Sequence, residues 1–369
     1  MPVRPVVKAD GYGHGGVPIA RALEAAGAEG LCVATYDEAV ELREGGVTAP
    51  ILALYPIPPA FAADAARRHV AVTAGDRAQL DAAISAMAAA QDDPDVDPLA
   101  IELEVETGLS RGGFLPDDAV EVARRIDVAP GVRLAGLWTH FQAVEDEAGT
   151  ARQIARFEAC VAGLVAAGVR LPPRHVAASA ALLTEGLFAY DGVRPGLSIY
   201  GIVPDELDAA DRAEGPSDEL RPVLALYARP VRVVDLPTGT GISYGPSFRT
   251  TRPSRIATLP VGYADGWSRL LSNRAEALVR GMRVPLVGNV AMDAVMSDVT
   301  DVPGAPVTTG DEFVLIGRCG AEWIGVEALA PMRTTISWEV LVNLSRRLPR
   351  VYHAATGPVG LRTLTERKG

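Results

Sequence analysis

Leu99-Ala-Ile-Glu-Leu-Glu-Val-Glu106, followed by a helical pattern over 117–125 and then by Leu134-Ala-Gly-Leu-Trp-Thr-His-Phe141, is the stretch on which the fold turns. A short β-branched and leucine-rich run, a longer segment with apolar residues three and four apart, and a second short run make one strand–helix–strand unit. The same alternation fills the first 200 residues. Further strand-like runs lie at 5–8, 31–34, 51–55, 70–73, 175–178 and 192–194, with helical patterns at 17–26, 37–44, 64–68, 77–90 and 152–167. Eight such units predict an α/β fold with a closed parallel (β/α)8 barrel over 1–203, a doubly wound sheet being the alternative. Residues 204–221 are acidic with little periodicity and read as a linker. From 222 to 369 the texture is β-rich, with runs at 224–234, 254–261, 277–279 and 313–316 separated by Pro and Gly, and a helical stretch at 338–347 closes a smaller β domain.

The chain has 369 residues, 48% hydrophobic and 22% charged, with 46 acidic against 35 basic side chains. This is a globular composition, and its net charge of −11 argues against a nucleic-acid partner. Cys32, Cys160 and Cys319 lack the spacing of a disulfide framework or a zinc site. Neither a signal peptide nor an apolar run of membrane-spanning length is visible, so the expectation is a cytoplasmic protein without a membrane partner.

Strand 99–106 alternates Ile101, Leu103 and Val105 with Glu102, Glu104 and Glu106. Period-two geometry sends three carboxylates into the lumen, where unpaired charge is costly, so some must be paired, protonated or near the rim. Arg111 is the natural partner. Lys8 follows two valines and opens the glycine-rich turn Lys8-Ala-Asp-Gly-Tyr12-Gly-His-Gly15 at the barrel face where active sites form. A desolvated lysine there can bond covalently to a carbonyl cofactor. Ser179 follows the seventh run and Gly196-Leu197 the eighth, where barrels often hold phosphate.

This lysine turn, with further motifs in order along nearly the whole chain, resembles the alanine racemases, pyridoxal 5'-phosphate enzymes of fold-type III. The resemblance implies that Lys8 carries the cofactor and that Tyr12, Ser179, Gly196 and Leu197 lie at its phosphate. It implies that Arg194 faces the pyridine nitrogen, and that His140 and His175 link that arginine to the catalytic tyrosine. Tyr244, in Gly241-Ile-Ser-Tyr244-Gly, matches the second catalytic base, with Lys8 serving the D-face and Tyr244 the L-face. Arg111, Tyr263 and the backbone N–H of Met292 would meet a small amino-acid substrate, with Asp293 in a supporting turn. Trp338 stands where the family usually has a phosphate-bonding tyrosine, and Ala178 where it usually has asparagine. Many relatives carry at position 104 a lysine that carbon dioxide converts to a carbamate; Glu104 supplies a carboxylate unmodified and is expected to pair with Arg111. A head-to-tail homodimer with shared active sites is implied, because Tyr244 lies on the second domain. L-alanine and D-alanine are the expected substrates, with serine or a larger amino acid as the broader alternative raised by Trp338. A non-catalytic cofactor carrier of the same barrel would lack the second domain and its tyrosine, and a decarboxylase would carry an acid where Arg194 stands. Relatives also begin with a strand and helix ahead of the lysine strand, so a natural start upstream of Met1 is expected.

Overall fold

Beyond its apolar runs, the first unit of the computed structural model is shaped by what closes its sheet. The structure describes residues 1–90, 92–184, 188–207 and 216–365. Contacts divide it into two compact units, Met1–Leu220 and Arg221–Gly369. Of the expected linker at 204–221, residues 208–215 lie outside the described residues.

In the first unit, β1 (Leu31–Val33), β2 (Ile51–Ala53), β3 (Val70–Ala74), β4 (Leu99–Glu104), β5 (Val132–Trp138) and β6 (Arg174–His175) form a six-stranded parallel sheet in sequence order. Two flanking segments complete the ring. Val6 bridges Cys32 on β1, His175 on β6 bridges Gly192, and Val3 bridges Val193, all in parallel sense. The backbone bonds Arg4 N–H to Val193 O (2.9 Å) and Cys32 N–H to Pro5 O (2.8 Å) seal the same seam. All eight expected runs therefore contribute a stave of the barrel, the first and last as bridges.

Helices cover the outside, each starting where its sequence supplies a cap. Thr35 and Glu38 make a reciprocal capping box ahead of Tyr36–Glu44, Asp76 caps Arg77–Ala89, and Asp146 caps Glu147–Ala166. The apolar core lies between this layer and the strands, with Leu31, Ile51, Leu99, Ile101, Leu103, Ile126 and Phe157 almost fully buried. The described helices include none long and apolar enough to cross a membrane.

The second unit is built on an eight-stranded antiparallel sheet. It holds β7 (Leu226–Ala228), β8 (Arg232–Leu236), β11 (Ser254–Leu259), β12 (Glu276–Val279), β13 (Met282–Val287), β14 (Val295–Asp298), β15 (Phe313–Cys319) and β16 (Glu322–Ile324), while β9 (Gly241–Ile242) and β10 (Phe248–Arg249) form a separate hairpin. The run expected at 224–234 is split, since Pro230 between β7 and β8 has no N–H to donate to a ladder. The helix expected at 338–347 spans only Ser337–Val342. Beyond it Arg347 is drawn off to Asp265 and Asp293, and Arg350 opens a hairpin, Arg350–Ala354 with Gly357–Arg362, that the pattern had not suggested.

Candidate active site

Lys8 leaves the first stave into an unusual turn. Ala9, Asp10, Gly11, Tyr12 and Gly13 all have positive φ, from 49° to 78°. The turn is left-handed, closed by Gly11 N–H to Val7 O (2.9 Å) and Gly13 N–H to Ala9 O (3.0 Å). For L-residues this costs on the order of 1–2 kcal/mol each, so the surroundings must hold it. Glu38 does much of this: one carboxylate oxygen accepts from Ala9 N–H (2.7 Å) and the other from Ala34 N–H (2.7 Å). Asp10 accepts from Gly16 N–H (2.8 Å). Tyr200 stacks on both Tyr12 and His14, with ring centroids 5.1 and 4.4 Å away, and its hydroxyl donates to Val6 O (3.0 Å). Sequence reasoning passed over Glu38 and Tyr200, although the Thr35–Glu38 capping spacing was visible. Lys8 itself is half-buried; burial and then the nearby Arg111 charge lower its ammonium pKa, with Glu38 opposing.

Tyr12 connects this turn to the strand-end loops. A Cβ on Gly196 would lie 2.7 Å from the Tyr12 hydroxyl, so glycine alone leaves the phenol its place. Ser179 Oγ accepts from Gly196 N–H (2.8 Å) and Ser198 N–H (3.1 Å), and the Ser198 hydroxyl lies 3.1 Å from it. Leu197 is buried directly after Gly196. Three hydroxyls and backbone amides around a side-chain-free glycine, with Lys8 on the adjoining turn, are a donor set that fits a phosphate-bearing aldehyde. Ser198 was not anticipated; it lies two residues beyond the glycine that was.

Arg194 is buried, with both terminal nitrogens of its guanidinium engaged. It donates to His175 Nδ1, to His175 O (2.6 Å) and to Thr139 O (2.8 Å), and its guanidinium lies 4.9 Å from the centre of the Trp138 ring. Burial pulls its pKa down to about 10, well above neutrality, so it remains a cation. The expected pair of histidines divides here. His175 touches Arg194, whereas the His140 ring has no hydrogen-bond partner among the described residues. Burial, then the charges of Arg194, Arg111 and Lys8, push His140 down to about 3. It is a neutral ring within the field of all three cations.

The three carboxylates of β4 and its continuation have three fates. Glu102 is paired inside the barrel, Glu106 accepts from Ser110 N–H (2.7 Å) and Gly108 N–H to shape the following loop, and Glu104 is buried against Gly112 and Gly113. Burial pushes the Glu104 carboxyl up to about 7, with Arg111 and Arg194 opposing. The direct Glu104–Arg111 pair expected above is not formed: among the described residues no ion pair within 4 Å joins them, and Arg111 projects into solvent at the end of the loop.

In the second unit, Tyr244, Tyr263 and Met292 lie on loops joined through residues 289–292. Asn289 donates to Tyr244 O (2.7 Å) and Gly245 O (3.1 Å), fixing a loop that leaves Tyr244 76% exposed. Tyr263 N–H bonds Ala291 O (3.0 Å) and Ala264 N–H bonds Met292 O (3.0 Å), and both Tyr263 and Met292 are exposed. Buried Asp265 caps Gly262 N–H (2.8 Å) and binds Arg347 (2.6 Å), which reaches on to Asp293 (2.5 Å). Asp293 is thus structural. Trp338 sits half-buried on Ser337–Val342.

A parallel barrel with a half-buried amine at the end of its first stave, a neutral cradle for a small anion and a pinned arginine defines an α/β-barrel cofactor enzyme carrying an additional antiparallel β unit. Residues 1–204 match the family model for the alanine racemase N-terminal domain and residues 223–352 that for its C-terminal domain. The chain belongs to the alanine racemase family, whose members are racemases that use pyridoxal phosphate. An alanine racemase of Desulfovibrio desulfuricans is 40% identical over 94% of this chain and 90% of its own. The solved alanine racemase from Bacillus anthracis with bound L-Ala-P is 33% identical, with a TM-score of 0.88 over 98% of this chain and 91% of that one. A histidine racemase from Leuconostoc mesenteroides is 27% identical, with a TM-score of 0.84 over 94% of this chain and 90% of that one.

Proposed function

We propose that this chain interconverts L-alanine and D-alanine as a pyridoxal-phosphate-dependent racemase, working as a head-to-tail homodimer. The observation that carries the reading is the left-handed Lys8 turn joined through Tyr12 to the Ser179–Gly196 cradle. Pyridoxal phosphate, when bound, acidifies the substrate α-carbon proton. Lys8, with its lowered pKa, exchanges that proton at Nζ on the D-face, and the Tyr244 hydroxyl does so on the L-face, the two-base division that racemisation calls for. Arg194, held as a cation by four acceptors and an aromatic face, donates to the ring nitrogen without surrendering a proton, which restrains side reactions. Arg111 and the Met292 N–H hold the substrate carboxylate, and Tyr263 borders the entrance. Tyr244 is supplied by the second copy.

Trp338 favours a second reading, a racemase with broader preference for serine or a larger side chain, because an indole replaces a smaller phenol beside the substrate. A chiral assay of purified protein on a panel of L-amino acids, with and without added cofactor, separates the two. Cofactor-dependent D-alanine as the leading product supports the first reading, and a larger D-amino acid in the lead supports the second. No D-product from any substrate overturns both.

A further inference from the structure

We propose that Glu102, backed by Arg4, is a positioning residue: it fixes His175 in the neutral form with its proton on Nε2, so that the Nδ1 lone pair anchors Arg194. The geometry of the first unit carries this by itself; its catalytic consequence rests on the racemase reading.

A guanidinium only donates, so the contact between Arg194 Nη1 and His175 Nδ1 requires an unprotonated Nδ1. The ring's proton must then sit on Nε2, 2.7 Å from Glu102 Oε2. The other carboxylate oxygen lies 2.7 Å from Arg4 Nη1. Glu102 is 3% exposed and the His175 ring 2%, which makes the compensation of charge decisive. Arg4 neutralises Glu102, so the histidine need not become a cation to do so. Burial pushes His175 down to about 4 with Glu102 opposing; for Glu102 itself, burial raises the carboxyl but His175 and Arg4 outweigh it and hold it at about 2.

The backbone has made room for this arrangement. The pairing of β4 with β5 slips between Ile101 and Glu102, and a Cβ on Gly136 would lie 2.6 Å from the Glu102 carboxyl carbon. Arg4 reaches in from the first stave and lines a cavity of about 560 Å³, with Arg170, Arg174 and Asp191, where the strands begin. A polar chain, Arg4–Glu102–His175–Arg194, thus crosses the lumen from that cavity to the arginine assigned to the ring nitrogen.

The test is long-range 1H–15N NMR of the full chain with 15N-labelled histidine, first without cofactor. The chain has five histidines, and His175 is assigned by its disappearance in His175→Asn. In the wild-type protein near neutral pH, His175 is expected in a single neutral form protonated at Nε2. Glu102→Gln leaves Arg4 demanding the amide oxygen and turns the NH2 toward Nε2, so His175 shifts to a mixture of tautomers. Arg4→Met leaves Glu102 uncompensated and drives His175 to the doubly protonated form, and Arg4→Lys restores the neutral one. With pyridoxal phosphate added, Glu102→Gln lowers kcat at least about tenfold with little change in KM. A wild-type Nδ1–H tautomer, or an unchanged His175 spectrum in folded Glu102→Gln and Arg4→Met, overturns the proposal. The NMR readout needs neither turnover nor cofactor, so its failure is distinct from failure of the racemase reading, which the chiral assay judges.

Discussion

Glu104 shows how one side chain converts burial into a pH dependence. Its carboxyl, ordinarily half-ionised near 4.5, is pushed up to about 7 in the fold by burial. The folded state therefore binds the proton more tightly than the unfolded one. Stability from this group is full below the ordinary carboxylate range and is lost as pH rises through about 7, by roughly 1–3 kcal/mol. Glu104→Gln should remove that loss, so urea denaturation at about pH 5 and pH 8 will show a shallower decline for the variant; parallel declines would contradict it. Substrate binding should follow the same division. At pH 8 the ionised Glu104 adds to the field at Arg111, and Glu104→Gln raises KM, whereas below neutrality the wild-type carboxyl is already uncharged and the two proteins should agree. At this scale the sequence was partly legible. Period-two alternation placed three carboxylates in the lumen, but which was paired with what depended on Arg4 and His175 arriving from other staves, and no local pattern encodes that.

Among elements, the loops that follow the barrel strands carry the chemistry and the strands hold them still. The Gly196 loop is positioned by Ser179, and its lack of a side chain is what admits Tyr12. Gly196→Ala should push the phenol aside, an overpacking cost of about 1–3 kcal/mol that weakens cofactor affinity by roughly 10–100-fold. Fluorescence titration with pyridoxal phosphate measures this, and unchanged affinity would remove the glycine from the cradle. The eight staves could be read from apolar runs because the first seven are flanked by helical periodicity and the eighth follows in step. The left-handed run at 9–13 could not, because Ala9, Asp10 and Tyr12 adopt a conformation their own preferences disfavour, under contacts with Glu38, Gly16 and Tyr200. The helix read at 338–347 failed for a similar reason: Arg347 has helical propensity but is claimed by Asp265 and Asp293.

On the scale of the molecule, each unit assembles half of the proposed machinery. The barrel has the lysine, cradle and pinned arginine, and the β unit has Tyr244, Tyr263 and Met292 exposed on loops joined through residues 289–292. If active sites are shared between copies, Lys8→Ala and Tyr244→Phe, each inactive alone, should complement. Subunit exchange between them at equal amounts should restore roughly one quarter of wild-type turnover, since half the dimers are mixed and one of their two sites is intact. No recovery under conditions that exchange wild-type subunits would place both bases in one chain.

The two-base division is the centre of the functional account, and solvent-deuterium incorporation at Cα, followed separately from L-alanine and from D-alanine, tests it most directly. The wild-type protein should incorporate deuterium from both enantiomers. Tyr244→Phe should keep exchange from D-alanine, where Lys8 acts, and lose nearly all exchange from L-alanine. Equal loss from both enantiomers, or exchange from L-alanine that persists, would contradict the assignment of the two faces to Lys8 and Tyr244.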